Sequence, residues 1–220
     1  MRFEYFGIAG CTMIGACCII SALGFTGFAH EGYSLLNHMI SELGMKTESP
    51  LAWVFNMGLI IGSPLALLFI VQTRTVIPSR IGNIGRVIGI AAGIGGFFVG
   101  IFPADIDLPA HDIAAMTFFF GGAVTVIVFS VAIARQQNIR LGKWLCIFGI
   151  GVAACFTAFL IDAFFFSTGP NLNDASSFSQ LAPLRPPVFW ADAFLEWLPL
   201  IGVLAWLLLA ALDSLKRNRA

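Results

Sequence analysis

The chain has 220 residues, of which 58% are hydrophobic and only 11% charged, against roughly 25% charged in an ordinary soluble domain. Twelve Lys and Arg balance twelve Asp and Glu, so the formal net charge is zero, and a nucleic-acid partner is not expected from so neutral a chain. Its apolar residues fall in runs of about twenty, the length that crosses a ~30 Å hydrocarbon core at ~1.5 Å per residue. The expectation is an all-α polytopic membrane bundle of six transmembrane helices, with 1–220 forming one domain.

The six spans are predicted at 5–29, 51–73, 86–102, 111–134, 144–166 and 189–212. Cys11, Cys17, Cys18, Cys146 and Cys155 all lie inside apolar runs, so no disulfide framework is implied. The first run passes straight through the Ile8-Ala9-Gly10-Cys11 stretch and reads as an uncleaved span rather than a signal or lipoprotein leader. Beyond it, residues 33–44 place Leu35, Leu36, Met39, Ile40 and Leu43 at helical spacing. This predicts a short amphipathic helix at the outer interface, with Asn37 beside Ser41, His38 beside Glu42, and Gly44 as its stop. Glu48, further along the same connection, is expected to be solvated.

The second span carries Trp53 at the membrane boundary and Asn56 about a turn deeper; a buried amide at that depth needs a partner. In the third, Gly85, Gly89 and Gly93, then Gly96 and Gly100, recur every four residues, which presents a small surface for close helix packing. No strand precedes this run and no Lys-Ser/Thr pair follows it, so it is not a nucleotide-binding loop.

Between the third and fourth spans, Phe102–Asp112 concentrates Asp105, Asp107, His111 and Asp112 in eleven residues. Asp107 is placed as the N-cap of the fourth helix with Pro109 in its first turn, and His111 projects from the top of that helix. Capping and helix-dipole roles account for Asp107 and Asp112 as readily as a site does. Asp162 lies near the end of the fifth span, and Asp192 and Glu196 stand four apart at the start of the sixth. Carboxyl groups in membrane helices face the bundle interior by default.

Ten of the twelve Lys and Arg (Arg2, Arg74, Arg80, Arg86, Arg135, Arg140, Lys143, Lys216, Arg217 and Arg219) fall at the termini or in connections two and four. The positive-inside rule then makes both termini cytoplasmic and connections one, three and five external. All three histidines and most acids come to the outer side.

The order Asn37-x-x-x-Ser41-x-Leu43-Gly44, Asn56, Gly100-x-Phe102-Pro103 and His111 resembles the six-span prokaryotic membrane proteins grouped as domain of unknown function nine-nine-eight. That resemblance implies a six-helix fold in a prokaryotic plasma membrane and no particular activity. Three histidines with Ser and Asp also look loosely like the alkaline-ceramidase and adiponectin-receptor hydrolases, although the close histidine pair on a late helix of those proteins has no counterpart here.

Two classes of function fit. One is a membrane-embedded hydrolase or transferase acting on lipid or a lipid-linked substrate, with His111, Ser41 and Asp162 as candidate catalytic groups. A divalent metal such as zinc would be a suitable cofactor for His and carboxylate ligands. The other is non-enzymatic binding, sensing or transport of a proton, cation or lipid head group, or a structural membrane partner. Asn37, His38, Asn56, Asp107, Asp192 and Glu196 are the candidate binding groups. Convergence of these side chains on one enclosed space separates the first two readings from a structural one.

Overall fold

The computed structural model describes residues 2–27, 30–136, 141–166 and 188–217. Six helices are long and apolar enough to cross a membrane: α1 (Glu4–Leu23), α2 (Ala52–Gln72), α3 (Arg80–Ile101), α4 (Leu108–Arg135), α5 (Trp144–Ile161) and α6 (Ala191–Arg217). No strand occurs among the described residues. Each helix packs against the next in the chain, antiparallel to it, and α6 returns to α1, so the six close a ring. The even number leaves both termini at one end, where the Ser214 hydroxyl donates to the Glu4 carboxylate at 3.0 Å.

Small residues let the ring close. A Cβ on Gly10 would lie 2.7 Å from the Gly62 carbonyl oxygen and 2.8 Å from the Ala66 nitrogen, so α1 and α2 touch backbone to backbone. The α3 glycines behave as their spacing predicts. Gly85 and Gly89 face Phe129 and Thr125 of α4, while Gly93 and Gly100 face Leu67 and the Asn56 carbonyl of α2. Gly95, outside that stripe, gives the tightest α3–α4 approach, 2.7 Å from a built Cβ to the Ala114 carbonyl oxygen.

Several helix edges differ from those expected. α3 begins at Arg80, six residues early, because the Ser79 hydroxyl accepts from the Gly82 N–H at 3.0 Å and caps it. Arg86 is therefore helical and buried, donating to the Ile77 carbonyl at 3.1 Å and to Asn83. α1 stops at Leu23, before Gly27 takes a positive φ of 59° and hydrogen-bonds through its N–H to the Glu48 carbonyl at 3.0 Å. α5 ends in a π turn, Asp162–Phe166.

The amphipathic helix expected over 33–44 is reduced to a single 3₁₀ turn, Ile40–Gly44. Met39 is extended (φ −65°, ψ 149°) and breaks the helical path. Rather than lying on the interface, Ile40 and Leu43 are buried with Ile14, Phe55, Leu59 and Trp197. Core contacts at the mouth of the ring offer these apolar side chains more complete burial than the interface does. The segment thus caps one end of the bundle.

Candidate functional site

The cap is tied down by polar contacts from four directions. The Ser21 hydroxyl of α1 lies 2.9 Å from the Leu43 carbonyl and 3.1 Å from that of Leu51. From α2, the Asn56 amide donates to the Gly44 carbonyl at 3.0 Å, the partner its depth demanded. A side chain on Gly44 would meet the Asn56 amide oxygen at 2.5 Å and the Phe55 ring at 3.0 Å, so only glycine fits there. Thr47 donates through its backbone N–H to Asp105 at 3.2 Å. The Trp190 N–H donates to the Leu36 carbonyl at 2.7 Å.

Glu196 makes the most consequential of these links. Its carboxylate accepts from the Ile40 N–H at 2.7 Å and also from the Ser41 N–H, two of the donors that the start of a 3₁₀ turn leaves without an intrahelical partner. Glu42 caps the same turn by accepting from the Met39 N–H at 3.1 Å.

Beside it, Tyr33 packs edge-on to Phe25 and Trp197. Its hydroxyl accepts from the Trp197 indole at 2.8 Å and lies 2.9 Å from the Met39 carbonyl. Burial pushes the Tyr33 phenol well above its ordinary range, and the Glu42 and Glu196 charges push it the same way. It therefore remains a donor.

Beneath the cap, the ring encloses a cavity lined at one end by Ser41, His111 and Glu196 and otherwise by apolar side chains from α1, α2, α3, α4 and α6, with Ser63 and Thr125 as isolated hydroxyls. It spans α4 from His111 to Val126, a rise of about 22 Å at ~1.5 Å per residue. Its volume is about 110 Å³, counted as space open to the centres of water-sized molecules; one water needs roughly 10–15 Å³ on that measure. Spread along that length, the space is wide enough for one hydrocarbon chain.

His111 is 6% exposed, and its Nδ1 lies 2.9 Å from the Phe102 carbonyl oxygen. A carbonyl only accepts, so Nδ1 carries the proton, and in the neutral ring Nε2 keeps a lone pair. No partner for Nε2 occurs among the described residues. The Phe102-Pro103 turn thus orients the imidazole at the mouth of the cavity.

The other predicted site residues lie elsewhere. Asp107 is the N-cap of α4 as expected, accepting from the Ala110 N–H at 3.1 Å. Asp162, half-buried, lies within hydrogen-bonding reach of Asp192, which is 4% exposed. Neither lines the cavity, so of the three acids expected to face the bundle interior only Glu196 reaches it.

His38 is buried against Phe25 and Tyr33, with Nε2 3.4 Å from Glu31. Asn37 is half-buried in the turn whose backbone N–H donates to the Ser34 carbonyl. Glu48, expected in solvent, is 1% exposed; its carbonyl accepts from Thr26 and Gly27 and draws it under the cap. Among the described residues no three His, Cys, Asp or Glu side chains gather as a metal ligand set.

Ser63, Tyr33 and Trp197 belong to the cap and cavity without a motif to mark them. Ser63 stands seven residues, two turns, beyond Asn56 and hence on the same face of α2, a spacing that could have found it. The Tyr33–Trp197 contact joins residues 164 apart and has no local signal.

A ring of six apolar helices, capped at one end and hollow beneath the cap, defines a multi-pass integral membrane protein with an internal apolar cavity. Residues 13–213 match the family model described as Protein of unknown function (DUF998), and the chain belongs to that family. No curated protein and no solved structure gives a significant match.

Proposed function

We propose that the protein holds the apolar chain of a lipid or lipid-linked molecule inside its ring of helices, with the polar end of that molecule at Ser41, His111 and Glu196. The observation that carries this reading is the chemistry of the cavity, which runs about 22 Å along α4 between mostly apolar side chains, with Ser41, His111 and Glu196 gathered at one end. That length exceeds the ~15 Å of one hydrocarbon leaflet, as a long single chain requires.

An alkyl probe with a diazirine at its far end, added to the purified protein and irradiated, is expected to attach to cavity residues such as Phe118, Leu204 or Val126. Attachment confined to side chains facing out of the bundle, such as Ile113 or Phe165, would sink the proposal.

A second reading, a hydrolase or transferase working on the same molecule, is favoured by the fixed tautomer of His111. An Nε2 lone pair at the cavity mouth with the Ser41 hydroxyl in the same wall supplies a base and a nucleophile of suitable kinds. Asp162, being paired with Asp192, is not a member of that group. Ester or phosphodiester turnover of a lipid substrate, lost in both His111→Ala and Ser41→Ala proteins of normal yield, would establish it.

The charge asymmetry supports an outward-facing cap. In a protein whose native cysteines are replaced, a cysteine at Ser176, which lies outside the described residues, is expected to react with an impermeant maleimide from the external side of intact cells. Labelling only after the cytoplasmic face is opened would reverse the orientation.

A further inference from the structure

The cavity stops short of the end of the bundle that carries both termini. Its deepest wall residues are Ile70 of α2, Val126 of α4, and Trp206 and Leu207 of α6. Beyond them the ring is filled: Phe129 and Ile133 of α4, Leu145 of α5 and Ala211 of α6 are each at most 1% exposed, and none of the four lines the cavity. The cavity therefore has a floor as well as a cap.

Trp206 is the part of that floor held from the most directions. Its indole N–H donates to the Leu145 carbonyl at 3.0 Å, and its ring stacks on Phe129 with centroids 5.9 Å apart and planes 18° from parallel. Behind it, a Cβ built on Gly149 would stand 2.9 Å from the indole nitrogen, so α5 leaves the ring no room to retreat. A side chain fixed by a hydrogen bond, a stacked ring and a close backbone does not swing aside in a close-packed interior.

A chain whose polar end sits at Ser41, His111 and Glu196 points its methyl end at this floor. A chain too short leaves the deepest lining atoms without contacts. One too long must fold back or displace packed side chains, and overpacking is costly.

Resting on the lipid-chain reading above, we infer that the cavity measures the chain it holds, and that Trp206 is the residue that sets the upper limit of length. The ligand class is then a single alkyl or acyl chain of bounded length.

Primary alkanols from decanol to docosanol, which differ only in length, are set against the diazirine alkyl probe for the full-length protein. Each is present at equal mole fraction in a neutral detergent, so every chain starts from the same apolar surroundings. Competition for labelling at Phe118 or Leu204 is expected to peak at one length and to fall by about tenfold within ~4 further methylenes, as an overpacked contact would produce. Competition that is level across the series, including none at any length, or that goes on improving to docosanol would overturn the length limit and leave chain binding standing. A probe that never attaches inside the cavity would remove the chain-binding reading itself. None of these outcomes depends on a variant folding.

The role of Trp206 is read from two variants that run as the parent does on size-exclusion chromatography. Trp206→Leu removes the most bulk from the floor, and its peak is expected at a longer chain than in the parent. Trp206→Phe keeps a ring to stack on Phe129 and is expected to give a smaller displacement in the same direction. A peak at the parent length in both would overturn the assignment to Trp206.

Discussion

A Gly95→Ala protein is expected to melt well below the parent, while Gly151→Ala melts at or above it. Both changes gain helix propensity, by up to ~1 kcal/mol for glycine to alanine in a helix interior. At Gly151 nothing lies within 4 Å of the added methyl, so propensity decides. At Gly95 the methyl would sit 2.7 Å from the Ala114 carbonyl oxygen and 2.8 Å from the Phe118 nitrogen. These are backbone atoms of α4 and cannot rotate away, so α3 and α4 must separate, at a cost of ~1–3 kcal/mol or more for an overpacked contact. Separation would also reshape the cavity, whose wall includes Ala115 and Phe118 of the same α4 segment. Thermal melting in detergent, followed by size-exclusion chromatography, reads the difference. An unchanged Gly95→Ala protein would mean that the helices are not in backbone contact.

Glu196→Ala is expected to loosen the cap. The change strands the N–H groups of Ile40 and Ser41 under a covering of apolar side chains, and a buried donor left without an acceptor costs ~1–3 kcal/mol. Glu196→Gln keeps one carbonyl oxygen and is expected to retain much of the parent stability. The local effect can be followed with Ser41→Cys as a reporter in a background lacking the native cysteines. Maleimide labelling should be slow with Glu196 in place, faster with Gln and fastest with Ala. Equal labelling rates in the three proteins would show that Glu196 does not hold the cap, whatever its effect on melting.

These two residues differ in how far the sequence announced them. Glu196 reads as an inward-facing acid because it lies in an apolar run, yet the position of its partner, Ile40, 156 residues away, has no counterpart in any local pattern. Gly95 fell outside the four-residue glycine steps, although its contact is closer than those of Gly85 or Gly96. His111 was visible as the one histidine beginning a membrane helix. Its chemistry depends on the Phe102 carbonyl, which the sequence does not point to. Asp162 and Asp192 looked equivalent to Glu196 along the chain, and only the turn at the end of α5 pairs them with each other.

What the sequence determined by itself rests on properties that act along one chain segment at a time. Span number follows from the length of apolar runs against the membrane thickness, the Asp107 cap from the side chain nearest an unsatisfied helix start, and the helix-contact face of α3 from four-residue glycine steps. Membership of the six-span family followed from the order of its short motifs, and the match over 13–213 agrees. The tertiary structure decided where side chains from distant segments meet. It turned the 33–44 region from a surface helix into a buried cap, drew Glu48 beneath it, left Asp162 outside the cavity and set Ser41, His111 and Glu196 around one opening. Helical spacing can mark an apolar face but not what covers it; here the mouth of the helix ring buries Ile40 and Leu43 more completely than the membrane interface would.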